Sequence, residues 1–227
     1  MDTQISMGQE SSPAANTPAG PVIAVFCGAS TGTSPAHLEA ARSLAQAMHA
    51  SNATLVYGAG TTGIMGEIAK TLVSLSGPQS VHGVIPRSLL CKERPAESGG
   101  EDEQIFGPKT ITKNMHERKA LMGQKVRDGG PGSGFVALSG GYGTLEELFE
   151  MITWNQLGIH GKGIVVYNVE GYYDGLISWV RSSVTSGFIT PGNAGIMAEA
   201  LSGEEVIKQL KEYKLSEDRL QLDWEEK

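Results

Sequence analysis

The fold is decided by residues 21–30, which read Pro-Val-Ile-Ala-Val-Phe-Cys-Gly-Ala-Ser. The apolar residues 22–26 follow one another without a polar interruption, which is typical of a short strand buried on both faces of a parallel sheet. A glycine-containing turn ends the strand, and a helix is predicted at 35–50, with Ser34 as its N-cap and Pro35 in its first turn. A strand, a turn and a helix in this order predict the first unit of an α/β fold.

The same alternation continues along the chain. Further strands are predicted at 54–57, 81–85, 104–110, 135–138 and 164–167. Further helices are predicted at 63–75, 114–127, 144–157, 173–185 and 202–213, the last with Ser202 and Glu205 as a capping box. Residues 86–100 are polar and are interpreted as a loop. We therefore predict a single α/β domain with a Rossmann-like, doubly wound parallel sheet over residues 21–215.

Both ends of the chain are expected to lie outside this domain. Residues 1–20 are rich in Ser, Thr, Ala, Pro and Gln without periodicity, so we expect a disordered tail, and residues 216–227 are expected to be a polar C-terminal tail. No Lys or Arg precedes Arg42 and no apolar region lies near the start, which argues against a secretory signal.

Composition excludes several classes of function. The 227 residues include 18 Lys and Arg against 25 Asp and Glu, a net charge of −7, which is unfavourable for binding a nucleic-acid backbone. No segment approaches the roughly 20 apolar residues of a membrane-spanning helix. The two cysteines, Cys27 and Cys91, form neither a disulfide framework nor a zinc site, and the five histidines lack metal-ligand spacing. A reducing, cytoplasmic location fits this composition.

Three predicted strands end in glycine-rich turns that lead into helices, at 27–30, 58–60 and 139–144. Ligands of such sheets bind beyond the carboxyl ends of the strands, and helix N-termini favour phosphate. The sequence contains no P-loop motif, and the dinucleotide motif Gly-x-Gly-x-x-Gly does not follow the first strand, so a dinucleotide cofactor is not supported. One glycine-rich turn could be a tight connection only, but three together favour a ligand that carries phosphate.

Helical periodicity distinguishes one carboxylate in the helix at 144–157. Glu146 and Glu150 point away from the apolar stripe, whereas Glu147 falls at its edge, one turn after the glycine-rich segment. A first-turn carboxylate that complements the helix dipole is the alternative, and it accounts well for Glu146. For Glu147 the periodicity favours a functional role.

The helix at 114–127 places two cations beside apolar residues. Its shared face carries Met115, Arg118, Lys119, Met122 and Val126. Arg118 and Lys119 are either side chains that extend their charges to solvent or an anion site at the end of the sheet. The residues alone leave both interpretations open.

Two longer motifs are Met115-His116-Glu117-Arg118-Lys119 and Ser139-Gly140-Gly141-Tyr142-Gly143-Thr144-Leu145-Glu146-Glu147. Together with shorter matches at 26–28, 57–60, 63–66, 83–86, 152–160 and 171–174, they make most of residues 22–210 resemble the LOG (Lonely Guy) family. Members of that family are cytokinin riboside 5′-monophosphate phosphoribohydrolases, often mislabelled as lysine decarboxylases. The matches are specific for the family and less specific for the nucleobase.

The resemblance implies site residues one by one. Arg118 and Glu147 match catalytic positions of the family. Substrate-contacting positions are matched by Lys119, Gly141, Tyr142, Gly143 and Thr144 and, more loosely, by Glu93 and Thr153. Gly28, Ser30, Met115 and Gly140, from the glycine-rich turns and the face that carries Arg118, complete the predicted substrate-binding set.

The resemblance also implies hydrolysis of a nucleoside 5′-monophosphate to a free base and ribose 5-phosphate, without metal or organic cofactor, by a homodimer. Two alternatives stay open: a nucleosidase acting broadly on purine monophosphates such as AMP, and a nucleotide-sensing module without catalysis. Ser139 stands where the family usually has Pro, and Ala59 where many members have Gly. Ser139 lacks the rigid entry to the turn that Pro would give.

Overall fold

The computed structural model describes residues 20–90 and 101–224, and this part of the chain contains a sheet of seven strands. They are β1 (Val22–Phe26), β2 (Thr54–Tyr57), β3 (Val81–Pro86), β4 (Lys109–Thr112), β5 (Gly134–Ala137), β6 (Gly163–Tyr167) and β7 (Met197–Ala200). All neighbours pair in parallel, in the order β4-β3-β2-β1-β5-β6-β7. The winding direction therefore reverses between β1 and β5, which confirms the predicted doubly wound sheet.

Helices cover both faces of the sheet. They are α1 (Ala36–Ala50), α2 (Gly63–Ser76), α3 (Glu101–Phe106), α4 (Met115–Asp128), α5 (Tyr142–Gln156), α6 (Asp174–Thr185) and α7 (Gly203–Glu212). Alternate strand residues enter two separate cores: Ile23 and Val25 pack with α1, α2 and α7, whereas Ala24 and Phe26 pack with α4, α5 and α6. Burial on both faces explains why the strands read as continuous apolar runs.

The strand predicted at 104–110 is wrong in its first half. Residues Glu101–Phe106 form α3, and the strand begins only at Lys109, after Gly107 and Pro108. Gly107 has φ +74°, a left-handed conformation that suits glycine and reverses the chain between helix and strand. The segment before this turn is too short for its periodicity to distinguish a helix from a strand.

Other boundaries shift by small amounts. Pro35 is itself the N-cap of α1, and the Ser34 hydroxyl accepts a hydrogen bond from the amide of Ala36 at 3.3 Å. At α7 the predicted capping box is confirmed, since the Ser202 hydroxyl accepts from the amide of Glu205 at 3.1 Å. Of the predicted loop at 86–100, residues 87–89 form a short 3-10 turn, and residues 91–100 lie outside the described part.

The chain beyond residue 215 packs against the domain. The amide of Leu220 donates to the carbonyl of Gln156 at 2.8 Å, and the indole of Trp224 donates to the carbonyl of Leu157 at 3.0 Å. These bonds satisfy carbonyls at the C-terminal end of α5. Within residues 20–90 and 101–224, no helix is both long and apolar enough to cross a membrane.

Candidate active site

The glycine-rich turns after β1, β2 and β5 meet at the switch point of the sheet and surround a cavity of about 280 Å³. Its lining includes Cys27, Gly28, Ala29, Gly58, Met65, Leu89, Met115, Arg118, Gly141, Gly143, Thr144 and Glu147. The wall is largely apolar, and its charged groups are one guanidinium and one carboxylate. An apolar cleft with a few convergent polar groups is the usual form of a small-molecule site.

Arg118 and Glu147 form an ion pair in this cavity. Arg118 Nη2 lies 3.0 Å from Glu147 Oε1, and the two side chains are only 11% and 8% exposed. Arg118 stands in the first turn of α4, whose N-cap Asn114 accepts from the amide of Glu117 at 2.9 Å. Glu147 stands in α5, in its second turn. The structure thus brings together the two residues predicted to be catalytic.

The absence of a side chain at Gly58 makes room for the guanidinium. A Cβ at Gly58 would overlap Arg118 Nη2 and lie 3.1 Å from the sulfur of Met65. On its other side Arg118 Nη1 donates to the Met115 sulfur at 3.7 Å. Arg118 Nε is buried and has no hydrogen-bond partner in the described part of the chain. A buried donor that lacks a partner is costly, so it indicates an acceptor that a ligand would supply.

Burial controls the protonation of the cavity. It raises the pKa of the Glu147 carboxyl, while the charge of Arg118 opposes this shift. Burial also raises the pKa of the Cys27 thiol far above its ordinary range, and the charge of Glu147 adds to the effect. The thiol is therefore protonated at neutral pH and is a poor nucleophile, because the thiolate is the reactive form.

The turn between β5 and α5 is built to approach a ligand with its backbone. A Cβ at Gly140 would overlap the Thr144 hydroxyl and lie 3.0 Å from the amide nitrogen of Gly28, so this position requires glycine. A Cβ at Gly141 or Gly143 would meet nothing within 4 Å, which leaves open space in front of both. The first amide groups of α5 have no partner within the helix, and the dipole is positive there, so this end suits an anion.

Three predicted substrate-binding residues lie away from the cavity wall. The buried ammonium of Lys119 pairs with Glu146 and, at 3.2 Å, with Glu150 on α5, so it does not line the cavity beside Arg118. Thr153 is exposed almost two turns beyond Glu147. Tyr142 is 95% exposed.

A second hollow of about 280 Å³ adjoins the first and shares Gly28, Ala29 and Gly141 with it. Ser30 and Gly140, both predicted, line this second hollow, whereas Glu93 lies outside the described residues. His37 and Tyr172 also line it, and the sequence analysis gave them no role. Tyr172 lies in one of the family-like segments, while no pattern distinguished His37 from other helix residues.

No metal-type donor cluster is found within residues 20–90 and 101–224, where three or more His, Cys, Asp or Glu side chains nowhere converge. The charged side chains of the described cavity wall, Arg118 and Glu147, can stabilise charge, and the Glu147 carboxylate can also accept a proton.

The fold and this geometry define an α/β protein with a cavity at the switch point of its sheet, beside the amide end of α5. Residues 65–210 match the model of a family described as "possible lysine decarboxylase", and the chain belongs to that family. Relatives bearing the LOG name match nearly the whole chain, which confirms the predicted membership of the LOG family.

Two relatives illustrate the match. The cytokinin riboside 5′-monophosphate phosphoribohydrolase LOG1 of Arabidopsis thaliana is 41% identical over 84% of this chain and 83% of its own length. A bifunctional cytokinin biosynthesis protein of Fusarium pseudograminearum is 51% identical over 92% of this chain. The chain spans only 44% of that longer Fusarium protein.

Solved structures agree on the fold alone. The molybdenum cofactor carrier protein of Chlamydomonas reinhardtii matches with a TM-score of 0.57 and 18% identity over 85% of this chain and 96% of that one. A molybdenum cofactor binding protein from Rippkaea orientalis gives the same TM-score, identity and coverage.

The family description names lysine decarboxylation as a possible activity. In such a reaction pyridoxal phosphate would form a Schiff base with a lysine of the protein. The described residues that line the two hollows include no lysine. Lys119, the nearest candidate by sequence, has its ammonium engaged by two carboxylates. These residues do not fit that cofactor.

Proposed function

We propose that this protein hydrolyses the N-glycosidic bond of a cytokinin riboside 5′-monophosphate, releasing the free base and ribose 5-phosphate. The observation that carries the proposal is the buried Arg118–Glu147 pair, set beside the open amide end of α5. The names of the LOG relatives agree with this reaction.

The phosphate is assigned to the turn at 140–144. Open space in front of Gly141 and Gly143 lets phosphate oxygens approach the amide groups, and the buried hydroxyl of Thr144 adds a donor. A phosphate held there places the ribose over the cavity that contains Arg118 and Glu147. Binding energy from this remote group then serves to position the bond that breaks.

Glu147 acts on the ribose carbon. As the bond to the base breaks, its electron pair leaves with the base and positive charge develops on the sugar, which a nearby carboxylate stabilises. The oxygen of a water molecule bonds to the same carbon, and Glu147 accepts the proton that this water loses. Glu147 then gives up this proton and the departing base gains one, so that the two parts of water end on ribose 5-phosphate and on the free base. Burial raises the pKa of Glu147, which makes the carboxylate a stronger base.

Arg118 holds Glu147 in place and provides a donor to the ligand. Its Nη2 is engaged by the carboxylate, while its buried Nε is free among the described residues to bind a ribose or phosphate oxygen. Only one carboxylate lines the described cavity wall, so the two-carboxylate scheme of glycosidases does not transfer to this site.

Assembly and location are part of the proposal: the LOG resemblance implies a homodimer, and the composition fits the cytoplasm. The protein is proposed to act as a homodimer in the cytoplasm. Size-exclusion chromatography with light scattering tests the first statement, and a fluorescent fusion tests the second.

The decisive experiment is base release, followed by chromatography, from isopentenyladenosine 5′-monophosphate, from its riboside and from AMP. Release from the modified monophosphate but not from the riboside supports the proposal. Faster release from AMP would instead indicate the broad nucleosidase, and nucleotide binding without any release would indicate a sensing module.

The variant Glu147→Gln tests the catalytic assignment. We expect kcat to fall about a hundredfold or more, because the amide can neither accept the proton nor balance the charge, while nucleotide binding persists. Glu146→Gln is the matched control, since that neighbouring side chain is 54% exposed and pairs with Lys119 outside the cavity. Near-normal kcat in Glu147→Gln would remove Glu147 from the mechanism.

A further inference from the structure

The turn at 139–141 needs support, because it enters α5 through two consecutive glycines. Glycine allows many backbone conformations, and an anion site requires amide groups fixed in one direction. The structure shows that three different elements hold this turn by its polar groups.

The first contact comes from the segment after β1. The amide of Gly28 donates to the carbonyl of Ser139 at 3.0 Å. A peptide unit is planar and trans, so fixing this carbonyl also fixes the amide of Gly140, which points in the opposite direction.

The second contact comes from the first turn of α1. Ser139 Oγ and His37 Nδ1 form a hydrogen bond of 3.0 Å, and Ser139 is 4% exposed. Ser139 stands where the resembling family motif has Pro. The side-chain bond to α1 therefore restrains the entry to the turn in place of a proline ring.

The third contact comes from the turn after β6. The hydroxyl of Tyr172 donates to the carbonyl of Gly140, which by the same planarity fixes the amide of Gly141. Gly141 lines both hollows, so its amide lies where they join. The rings of His37 and Tyr172 also pack edge to face, with centroids 5.8 Å apart, so the two supports stabilise each other.

We propose that His37, Ser139 and Tyr172 are positioning residues that orient the amide groups of the phosphate-binding turn. The inference rests on the proposed function, because it assigns the 5′-phosphate to that turn. These residues act through the turn rather than on the reacting atoms. Their loss therefore weakens phosphate binding more than it slows bond cleavage.

The test compares binding and turnover in Tyr172→Phe and Ser139→Ala, each of which removes one hydroxyl. Titration calorimetry with ribose 5-phosphate measures Kd, and base release gives KM and kcat. We expect Kd and KM to rise about three- to tenfold in each variant, the usual range for one hydrogen bond, with kcat within about twofold. The preference for monophosphate over riboside should fall by the same factor.

Two further variants separate positioning from general destabilisation. Tyr213→Phe makes the same chemical change at a hydroxyl that accepts from Asn155 at 2.9 Å, away from both hollows, and should leave Kd unchanged. His37→Asn keeps a polar atom near the place of Nδ1 and should bind nearly as well as the wild type, whereas His37→Ala should not.

The outcomes separate this inference from the proposed function. Unchanged Kd in Tyr172→Phe and Ser139→Ala would overturn it, as would a loss of kcat at constant Kd. If the wild type binds ribose 5-phosphate but releases no base, and the variants still bind more weakly, the positioning role holds and the proposed reaction fails. If the wild type neither releases base nor binds ribose 5-phosphate, both are overturned; if it releases base but does not bind ribose 5-phosphate, the proposed reaction holds and the positioning role is overturned.

Discussion

Gly58 leaves the space that the guanidinium of Arg118 occupies, and a substitution at Gly58 tests whether the position of Arg118 matters for the reaction. A Cβ there would overlap the guanidinium of Arg118, which is the far end of a flexible side chain rather than backbone. Gly58→Ala should therefore displace Arg118 rather than the backbone. We expect kcat/KM for base release to fall at least about tenfold, and the free energy of unfolding to fall as well, because the buried Glu147 carboxylate loses its partner.

Gly175→Ala is the matched control for that prediction. Gly175 lies in the first turn of α6, and a Cβ there would meet nothing within 4 Å. Alanine is the better helix former, so we expect unchanged kinetics and a gain of up to about 1 kcal/mol in stability. Equal activity of Gly58→Ala and the wild type in the base-release assay would show that the position of Arg118 does not limit the reaction.

Single residues show how far sequence reasoning reaches into the site. Glu147 could be selected because it stands at the edge of an apolar stripe, one turn after a glycine-rich segment. Arg118 and Lys119 are cations beside an apolar stripe, and the residues alone leave an anion site and a solvent-facing pair both open. Lys119 shares the face of Arg118 in sequence, yet its ammonium pairs with Glu146 and Glu150. Periodicity gives the direction of a side chain around its own helix, but not which charges a neighbouring helix presents to it.

The N-terminal cap of α4 is expected to stabilise this helix and to hold Arg118 in its first turn. The Asn114 side chain accepts from the amide of Glu117, and the Glu117 carboxylate accepts from the amide of Lys113 at 2.6 Å. Asn114→Ala should cost about 1 kcal/mol, measured by urea unfolding. Arg118 follows in the same first turn, so fraying there should also lower kcat/KM for base release.

Ser202→Ala is the control for this helix cap. The Ser202 hydroxyl accepts from the amide of Glu205, whose carboxylate accepts from the amide of Leu201 at 2.8 Å, so the capping pattern at α7 is closely similar. The expected stability loss is the same, with kcat/KM unchanged. If both variants lose stability and neither loses activity, the cap of α4 does not position Arg118.

The elements that could be predicted from sequence are the central ones. Strands β1, β5 and β6 are buried on both faces and read as apolar runs. Strand β7 lies at the edge of the sheet, reads Met-Ala-Glu-Ala and has one exposed residue, so its sequence contains no apolar run that would predict a strand. The contacts of His37 with Ser139, 102 positions apart, depend on how α1 packs beside β5. Contacts of this kind depend on tertiary packing, so they cannot be predicted from local sequence patterns.

At the scale of the whole molecule, His160 links folding to pH. It is 4% exposed, its Nε2 donates to the carbonyl of Met151 at 2.9 Å, and its Nδ1 accepts from the amide of Lys162 at 3.1 Å. Both nitrogens are thus satisfied in the neutral ring. The pKa of His160 is lowered to about 4, chiefly by burial; the bond to the Met151 carbonyl opposes this shift, and nearby cations, among them Arg127 and Arg219, contribute to it.

The sign of the effect follows from proton binding. Between pH 6.5 and about 4 the unfolded chain binds a proton at His160 that the folded protein does not, so stability is lost as pH falls through this window. From pH 7.5 to 5 the loss should be about 2 kcal/mol from His160 alone. His82, whose pKa burial also lowers, acts in the same direction, whereas the raised pKa of Glu147 acts in the opposite one.

Urea unfolding of the wild type and His160→Gln at several pH values isolates this contribution. A glutamine amide can donate to the Met151 carbonyl and does not titrate, so the variant should keep the effects of His82 and Glu147 and lose that of His160. We expect the stability difference between the two proteins to shrink by about 2 kcal/mol from pH 7.5 to 5. Stability curves that run parallel across this range would mean that His160 accepts its proton equally well in the folded and unfolded states. The C-terminal end of α5 would then be open to water, contrary to the packing of Leu220 and Trp224 against it.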